Sequence, residues 1–360
     1  MTKGYLILET GEIFEGTLIG SEKQVTGEVV FNTSMTGYQE IITDPSYAGQ
    51  ILVFCYPIIG NYGVNVFDNE SKQPFLSGVI IGDHCEKPSH YQAVNSLSNQ
   101  LKQAGIAGLT WVDTRALVRV IRDKGTVKGV ISDDLSHATP KLESYEPTFW
   151  VKVVSTKKEK YYPNNGPHVV LIDFGYKKSI LTALLDAGCA VTVVPYHYTY
   201  QQVCNLQPDG VVLSNGPGDP MELKDRFQDI KKMTTRFPSL GICLGHQLIA
   251  LAYGAKTEKL KFGHRGGNHA VKEIETGKVR MTSQNHSYVV VNDSIDSNVF
   301  AITFRNVNDQ TVEGLRHLKY PIQSVQFHPE AHPGPSDTAH IFNRFIEQLI
   351  ALGEISYAVK

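Results

Sequence analysis

Cysteine is scarce in this chain. There are five in 360 residues (Cys55, Cys85, Cys189, Cys204, Cys243), widely scattered and without a C-x-x-C pair. A disulfide scaffold and a cysteine zinc site are not expected, and a reducing cytoplasm is. Long apolar runs are missing too. None reaches the roughly 18 uncharged residues of a membrane span. The apolar start of the chain is broken by Glu9 and Glu12, so it reads as a strand leading into a turn rather than a secretory signal. Nor is one sign of charge in excess: 34 Lys+Arg face 36 Asp+Glu, a formal net charge of −2. Nothing therefore supplies the cations with which a nucleic-acid binder displaces counterions. No Gly-x-x-x-x-Gly-Lys-Ser/Thr phosphate cradle occurs, and no carboxylate-rich ATP–magnesium site stands out.

What remains is globular. Hydrophobic residues make up 41% and charged residues 19%, which rules out general disorder, and the length predicts two or three domains. The boundary is expected in the stretch 155–167, which is charged, then rich in Pro, Asn and Gly, and lacks apolar periodicity. This gives an N-terminal domain over 1–155, a linker over 156–167 and a C-terminal domain over 168–360. After the linker, strand and helix alternate. His168-Val-Val-Leu-Ile-Asp173 is continuously apolar, as suits a strand buried on both faces. Ile180, Leu181, Leu184 and Leu185 recur at helical spacing before Gly188, and Ala190–Val194 and Gly210–Ser214 are further strands. Strand, helix, strand implies a right-handed crossover and a parallel sheet. A last helix, Ser336 to Leu352, places Ile341, Phe342, Phe345, Ile346, Leu349 and Ile350 on one side. The first 150 residues read as short β-like runs with helices near Val94–Gly105 and Thr114–Lys124, a mixed α/β domain whose topology does not follow from the pattern.

The chemistry concentrates in Ser239-Leu-Gly-Ile-Cys-Leu-Gly-His-Gln247, where an apolar strand enters Gly-x-Cys-x-Gly and a helical run follows. This is the logic of a nucleophile elbow: two small residues let the strand turn sharply into a helix, projecting Cys243 above the sheet. A helix N-terminus also favours a thiolate, and the N–H of Leu244 is placed to donate to an oxyanion. Against this stands a buried, inert cysteine, the reading kept for the other four. A thiol nucleophile needs a proton acceptor, and Phe327-His-Pro-Glu330 follows an apolar strand. There Glu330, two residues on, lies on the side of His328 and can orient its ring. The plain alternative is a surface His-Pro turn. Ser214-Asn-Gly-Pro-Gly-Asp-Pro220 lacks the third glycine of a dinucleotide fingerprint, and Pro217 removes an N–H, so a Rossmann site is rejected. His264, His269 and His286 lack metal-ligand spacing and read as satisfied or solvated.

Gly241-Ile-Cys-Leu-Gly-His-Gln247 with Phe327-His-Pro-Glu330 resembles the class I (triad-type) glutamine amidotransferases, and Ser214-Asn-Gly-Pro-Gly-Asp219 resembles their oxyanion strand. Thr36-Gly-Tyr-Gln-Glu40, Asp44-Pro-Ser-Tyr47, Tyr56-Pro-Ile-Ile-Gly-Asn61, Asp113-Thr-Arg115, Phe262-Gly-His-Arg-Gly-Gly-Asn-His269 and Ser283-Gln-Asn-His286 look like the carbamoyl-phosphate synthetase small-subunit family. The resemblance implies an α/β fold, with a doubly wound, mostly parallel C-terminal sheet. It implies Cys243 as nucleophile, His328 as base and Glu330 as its holder, with no metal. Glutamine would be gripped by Ser46, Gly216, Gly218, Leu244, Gln247, Asn285, Ser287 and Tyr288. Where many members carry Gly-Phe, this chain carries Ser287-Tyr288. The chain would then be a glutaminase subunit making glutamate and ammonia through a thioester. A large synthetase subunit, in a heterodimer or an assembly of heterodimers, would bind ATP and Mg2+ and make carbamoyl phosphate from bicarbonate. No cofactor is expected on this chain, no nucleic-acid or membrane partner, and the location implied is cytoplasmic. The arginine and pyrimidine pathways are not separated by the residues. A free-standing cysteine hydrolase and a non-catalytic regulatory subunit are the competing readings. The N-terminal domain speaks against the first, and the retained Cys243, His328 and Glu330 against the second.

Overall fold

The computed structural model describes residues 2–135 and 148–358 and divides into two units, Met1–Thr148 and Phe149–Lys360. In the first unit the short β-like runs become β1 (Lys3–Leu8), β2 (Ile13–Gly20), β3 (Val25–Asn32), β4 (Gln50–Phe54), β5 (Ile58–Ile59), β6 (Gly78–Ile80), β7 (Asp83–His84), β8 (Ala107–Thr110) and β9 (Val127–Ser132). Among the described residues, these form a closed barrel in the order β1-β2-β8-β6-β4-β3-β9, with β5 and β7 pairing apart. β9 seals it by pairing antiparallel with both β1 and β3, so neither strand is left as an edge. Val30, Leu52, Phe54 and Val79 form one buried cluster with Tyr38, Tyr47, Leu97 and Leu101. Two helices, Leu97–Ala104 and Thr114–Lys124, begin at local caps: Ser96 and Asp113 accept the N–H groups of Asn99 and Ala116 at 3.3 and 2.9 Å. Ser46 lies buried in the one-turn helix Pro45–Tyr47, its N–H donated to the Asp44 carboxylate at 2.9 Å.

The second unit contains β10 (Lys160–Tyr162), β11 (His168–Asp173), β12 (Ala190–Pro195), β13 (Gly210–Leu213), β14 (Ser239–Ile242), β15 (Thr257–Glu273), β16 (Val279–Val290), β17 (Phe300–Asn306), β18 (Val312–His317) and β19 (Ile322–Val325). Among the described residues they form one 10-stranded sheet, ordered β10-β12-β11-β13-β14-β19-β18-β16-β15-β17. β12, β11, β13, β14 and β19 run parallel, and the flanking pairs are antiparallel. The continuous apolarity of β11 has its expected cause. Val169 and Leu171 pack on one face with Ile180, Leu184 and Phe345, while Val170 and Ile172 pack on the other with Ile230, Met233 and Leu248. The chain leaves β11 for helix Lys178–Asp186 on the first face and β13 for helix Phe227–Arg236 on the second. Between them lies a switch point, the place where sheets of this kind bind ligands at the carboxyl ends of their strands.

Two boundaries differ from expectation. The segment 156–167 contains β10, which pairs with β12, and helix Trp150–Val154 packs Val151 into the second unit's core. The last helix spans His340–Ala358; Ile341, Phe342, Phe345, Ile346 and Leu349 are buried but Ile350 is exposed. No helix among the described residues is long and apolar enough to cross a membrane.

Candidate active site

β14 stops at Ile242, Cys243 takes φ 53 and ψ −102, and helix Leu244–Ala252 starts at once. A non-glycine residue rarely holds that backbone, and such strain concentrates at reactive sites. The bend requires the glycines on either side. A Cβ on Gly245 would stand 2.2 Å from the Leu213 carbonyl oxygen, and one on Gly241 would stand 2.8 Å from that of Gly245. The elbow is tied to its neighbours: Cys243 N–H donates to Val325 at 2.8 Å, and Gly245 N–H to Ser214 at 3.0 Å. The N–H of Leu244, first in the helix, has no acceptor within its own helix. Gly216, in the loop after β13, packs against the Leu244 side chain, and a Cβ there would meet the Phe174 carbonyl oxygen at 2.4 Å. Thus a glycine backbone and the helix N-terminus stand side by side.

The loop after β19 brings His328 to the same place. Its N–H donates to Ser283 at 2.9 Å, and its Nδ1 lies 2.6 Å from Glu330 Oε1. The His328 side chain also interacts with the Cys243 sulfur, which helps it hold a proton. Such nucleophile–base contacts often tighten only as substrate binds. The Cys243 thiol donates to the Asn285 carbonyl at 3.6 Å.

Lys177 lies just past the end of β11 and places Nζ 3.3 Å from Glu330, both side chains buried. It also donates to the Ala331 carbonyl. Asp173 shapes that turn by accepting the N–H groups of Gly175 and Tyr176 at 2.8 and 3.0 Å. Burial disfavours the charge on His328, but Glu330 and Cys243 beside it push the imidazole up to about 10. Burial likewise opposes the Glu330 carboxylate, and Lys177 and His328 overcome that, holding it at about 2. Lys177, Glu330 and His328 therefore form a buried line of alternating charge that ends beside the Cys243 sulfur.

Apart from Ser46, the remaining expected substrate residues lie in the second unit. Gly218 (φ +94) belongs to the loop after β13, where Asp219 accepts the Tyr288 hydroxyl at 3.2 Å. Ser287 accepts a hydrogen bond from Arg265. Gln247 directs its NH2 inward, to the Tyr288 carbonyl at 2.8 Å and to Gln326 Oε1 at 3.1 Å. Both its donor hydrogens are thus used, and what it can offer a ligand is its carbonyl oxygen.

His264, His269 and His286, unremarkable by spacing, meet across β15 and β16, with His264 ring centroids 5.3 Å from His269 and 5.0 Å from His286. His264, His286 and Glu313 each offer a ligand atom, all within 4.8 Å of one another. Burial opposes the His264 charge, but Asp309 (2.8 Å) and Glu313 (3.7 Å) raise it to about 9. His264 is thus the centre of an ion-pair network with Asp309 and Glu313. Lys177 and Gln326 escaped the sequence reading. A buried lysine has no local signature beyond its place at a strand end, and Gln326 sits inside an apolar run.

The sequence model of the family "Glutamine amidotransferase class-I" matches residues 170–348, and that of "Carbamoyl-phosphate synthase small chain, CPSase domain" matches residues 6–131. An arginine-specific carbamoyl phosphate synthase small chain of Halalkalibacterium halodurans is 51% identical over 360 residues, covering 99% of this chain and 100% of that one. The arginine-specific small chain of Bacillus subtilis is 51% identical over 357 residues, covering 99% and 100%. The pyrimidine-specific small chain of the same organism is 50% identical over 351 residues, covering 96% of each. Overall identity does not separate the two specificities.

Proposed function

The chain belongs to the carbamoyl-phosphate synthase small chains, with a class I glutamine amidotransferase domain, and from that premise we propose that Cys243 hydrolyses L-glutamine through a thioester and that the ammonia passes to a large synthetase subunit. The Cys243 sulfur attacks the side-chain carboxamide carbon. Its proton resides on His328, which the buried Glu330 keeps charged. The oxyanion that forms is met by N–H groups near Leu244 and Gly216, each worth roughly 3 kcal/mol in comparable sites. His328 then protonates the departing nitrogen, ammonia leaves, and a γ-glutamyl thioester remains. Water, deprotonated by His328, releases glutamate and restores the thiol. Within the second unit, glutamine would be held by Gly216, Gly218, Leu244, Gln247, Asn285, Ser287 and Tyr288. ATP, Mg2+ and bicarbonate would be handled by the large subunit, in the cytoplasm.

The observation that carries this reading is Cys243 on a strained elbow at the end of a line running through His328 and Glu330 to Lys177. The test is Cys243→Ser in the complex with the large subunit. Glutamine-dependent carbamoyl phosphate synthesis is expected to vanish while synthesis from added ammonia persists. Loss of both would contradict the role given to Cys243.

A further inference from the structure

Beside the sulfur lies a side chain that the mechanism above does not use. Gln326, fully buried in the loop after β19, directs Nε2 toward Cys243 Sγ at 3.6 Å. Which end of a buried amide carries the nitrogen is fixed by its partners, and here the order starts from a backbone carbonyl. Tyr288 C=O can only accept, so the group of Gln247 that faces it at 2.8 Å is NH2. The same NH2 reaches Gln326 at 3.1 Å, so the atom of Gln326 it meets is the carbonyl oxygen. The Gln326 NH2 is therefore left facing the sulfur. Its backbone N–H is tied to Glu313 at 2.9 Å, which fixes the side chain's origin. The Asn285 carbonyl, which also meets the sulfur, can only accept a hydrogen bond. The charged groups nearby are His328 and, behind it, Glu330 and Lys177.

We infer that Gln326 is a catalytic residue: its side-chain N–H stabilises the ionised sulfur of Cys243, and Gln247 is the positioning residue that sets the polarity of its amide. The same donor serves twice, when the thiolate attacks and when the thioester collapses and sulfur leaves. The inference rests on the reading of Cys243 as the nucleophile.

The test uses the full chain with its large subunit and two measurements: the pH profile of Cys243 alkylation by iodoacetamide, and glutaminase kcat and KM. Gln326→Met keeps length and apolar bulk but removes the donor. It is expected to lower kcat roughly ten- to a hundredfold, as for one hydrogen bond to a charged group. KM should stay within about twofold, and the alkylation profile should move to higher pH. Gln326→Glu places an anion beside the sulfur and should move the profile further. Gln247→Met releases the amide of Gln326 and should move it in the same direction by less, and it serves if the Gln326 variants do not fold. Folded variants whose alkylation profile matches that of the unsubstituted chain overturn the inference, whatever their activity. An unsubstituted chain that neither hydrolyses glutamine nor alkylates at Cys243 overturns the nucleophile reading, and this inference with it.

Discussion

Lys177 balances the buried charge of the site. Lys177 and His328 are cationic neighbours of Glu330, and in the proposed reaction Lys177 is the one that keeps its charge throughout. Removing one partner of a buried pair exposes the other to the full cost of burial. Lys177→Met is therefore expected to destabilise the second unit by about 3 kcal/mol, near the low end for such pairs because His328 remains, read from urea unfolding of the full chain. Glutaminase should fall with it, and an unchanged unfolding midpoint would contradict the charge-balance argument. Replacing Glu330 should cost less activity than replacing Cys243 or His328, roughly 10⁴-fold against roughly 10⁶-fold if the site behaves as a serine triad does. Steady-state glutaminase rates decide it, and equal losses would mean that Glu330 does more than orient the imidazole. Cys243, His328 and Glu330 were legible because each sits in a short motif whose spacing has a local mechanical meaning. Lys177 and Gln326 were not, because a lone lysine past a strand end and a glutamine within an apolar run carry no local sign that they will be buried beside the site.

At the scale of elements, the elbow depends on backbone-to-backbone approach between the start of helix Leu244–Ala252 and β13. Gly245→Ala would set a methyl 2.2 Å from the Leu213 carbonyl oxygen, and backbone cannot move aside as a side chain can. Gly254, at φ +97 with nothing within 4 Å of its Cβ position, makes the control. Gly254→Ala should cost about 1 kcal/mol of conformational strain, while Gly245→Ala should cost more than that and also abolish glutaminase. Thermal unfolding and activity of the two variants side by side check this, and comparable losses would contradict the packing argument. The parallel strands were readable from sequence because burial on both faces leaves continuous apolar runs, as in His168–Asp173. β10 was mistaken for part of a linker because an edge strand need not be apolar: Lys160 and Tyr161 are exposed. The barrel stayed unread because its closure pairs Tyr5 with Ser132 and Leu6 with Ile131, contacts that no local periodicity encodes.

For the whole molecule, the buried histidines set how stability follows pH. Burial holds His246 at about 3, and burial with the nearby His264 charge holds His269 at about 4. Both lie below their ordinary 6.5, so on acidification the unfolded chain takes up protons first. Their contribution is full above about pH 6.5 and is lost as the pH falls toward 4 and 3. Glu330, held at about 2 against an ordinary 4.5, adds to the loss below pH 4.5. His264 and His328 act in the opposite sense. Raised to about 9 and about 10, they contribute fully below pH 6.5 and less as the pH climbs through those values. The urea midpoint of the full chain should therefore peak near neutrality and decline on both sides. A midpoint that rose continuously from pH 7 to pH 4 would contradict these assignments.

The central claim is that glutamine becomes covalently attached to Cys243 on its way to ammonia. Mixing the chain and its large subunit with L-glutamine, quenching in acid within the first turnovers, and weighing the small chain by mass spectrometry tests this directly. The account predicts a γ-glutamyl adduct on the peptide bearing Cys243, removed by hydroxylamine and absent from Cys243→Ser. Rapid release of glutamate without any such adduct, or an adduct on another residue, would contradict it.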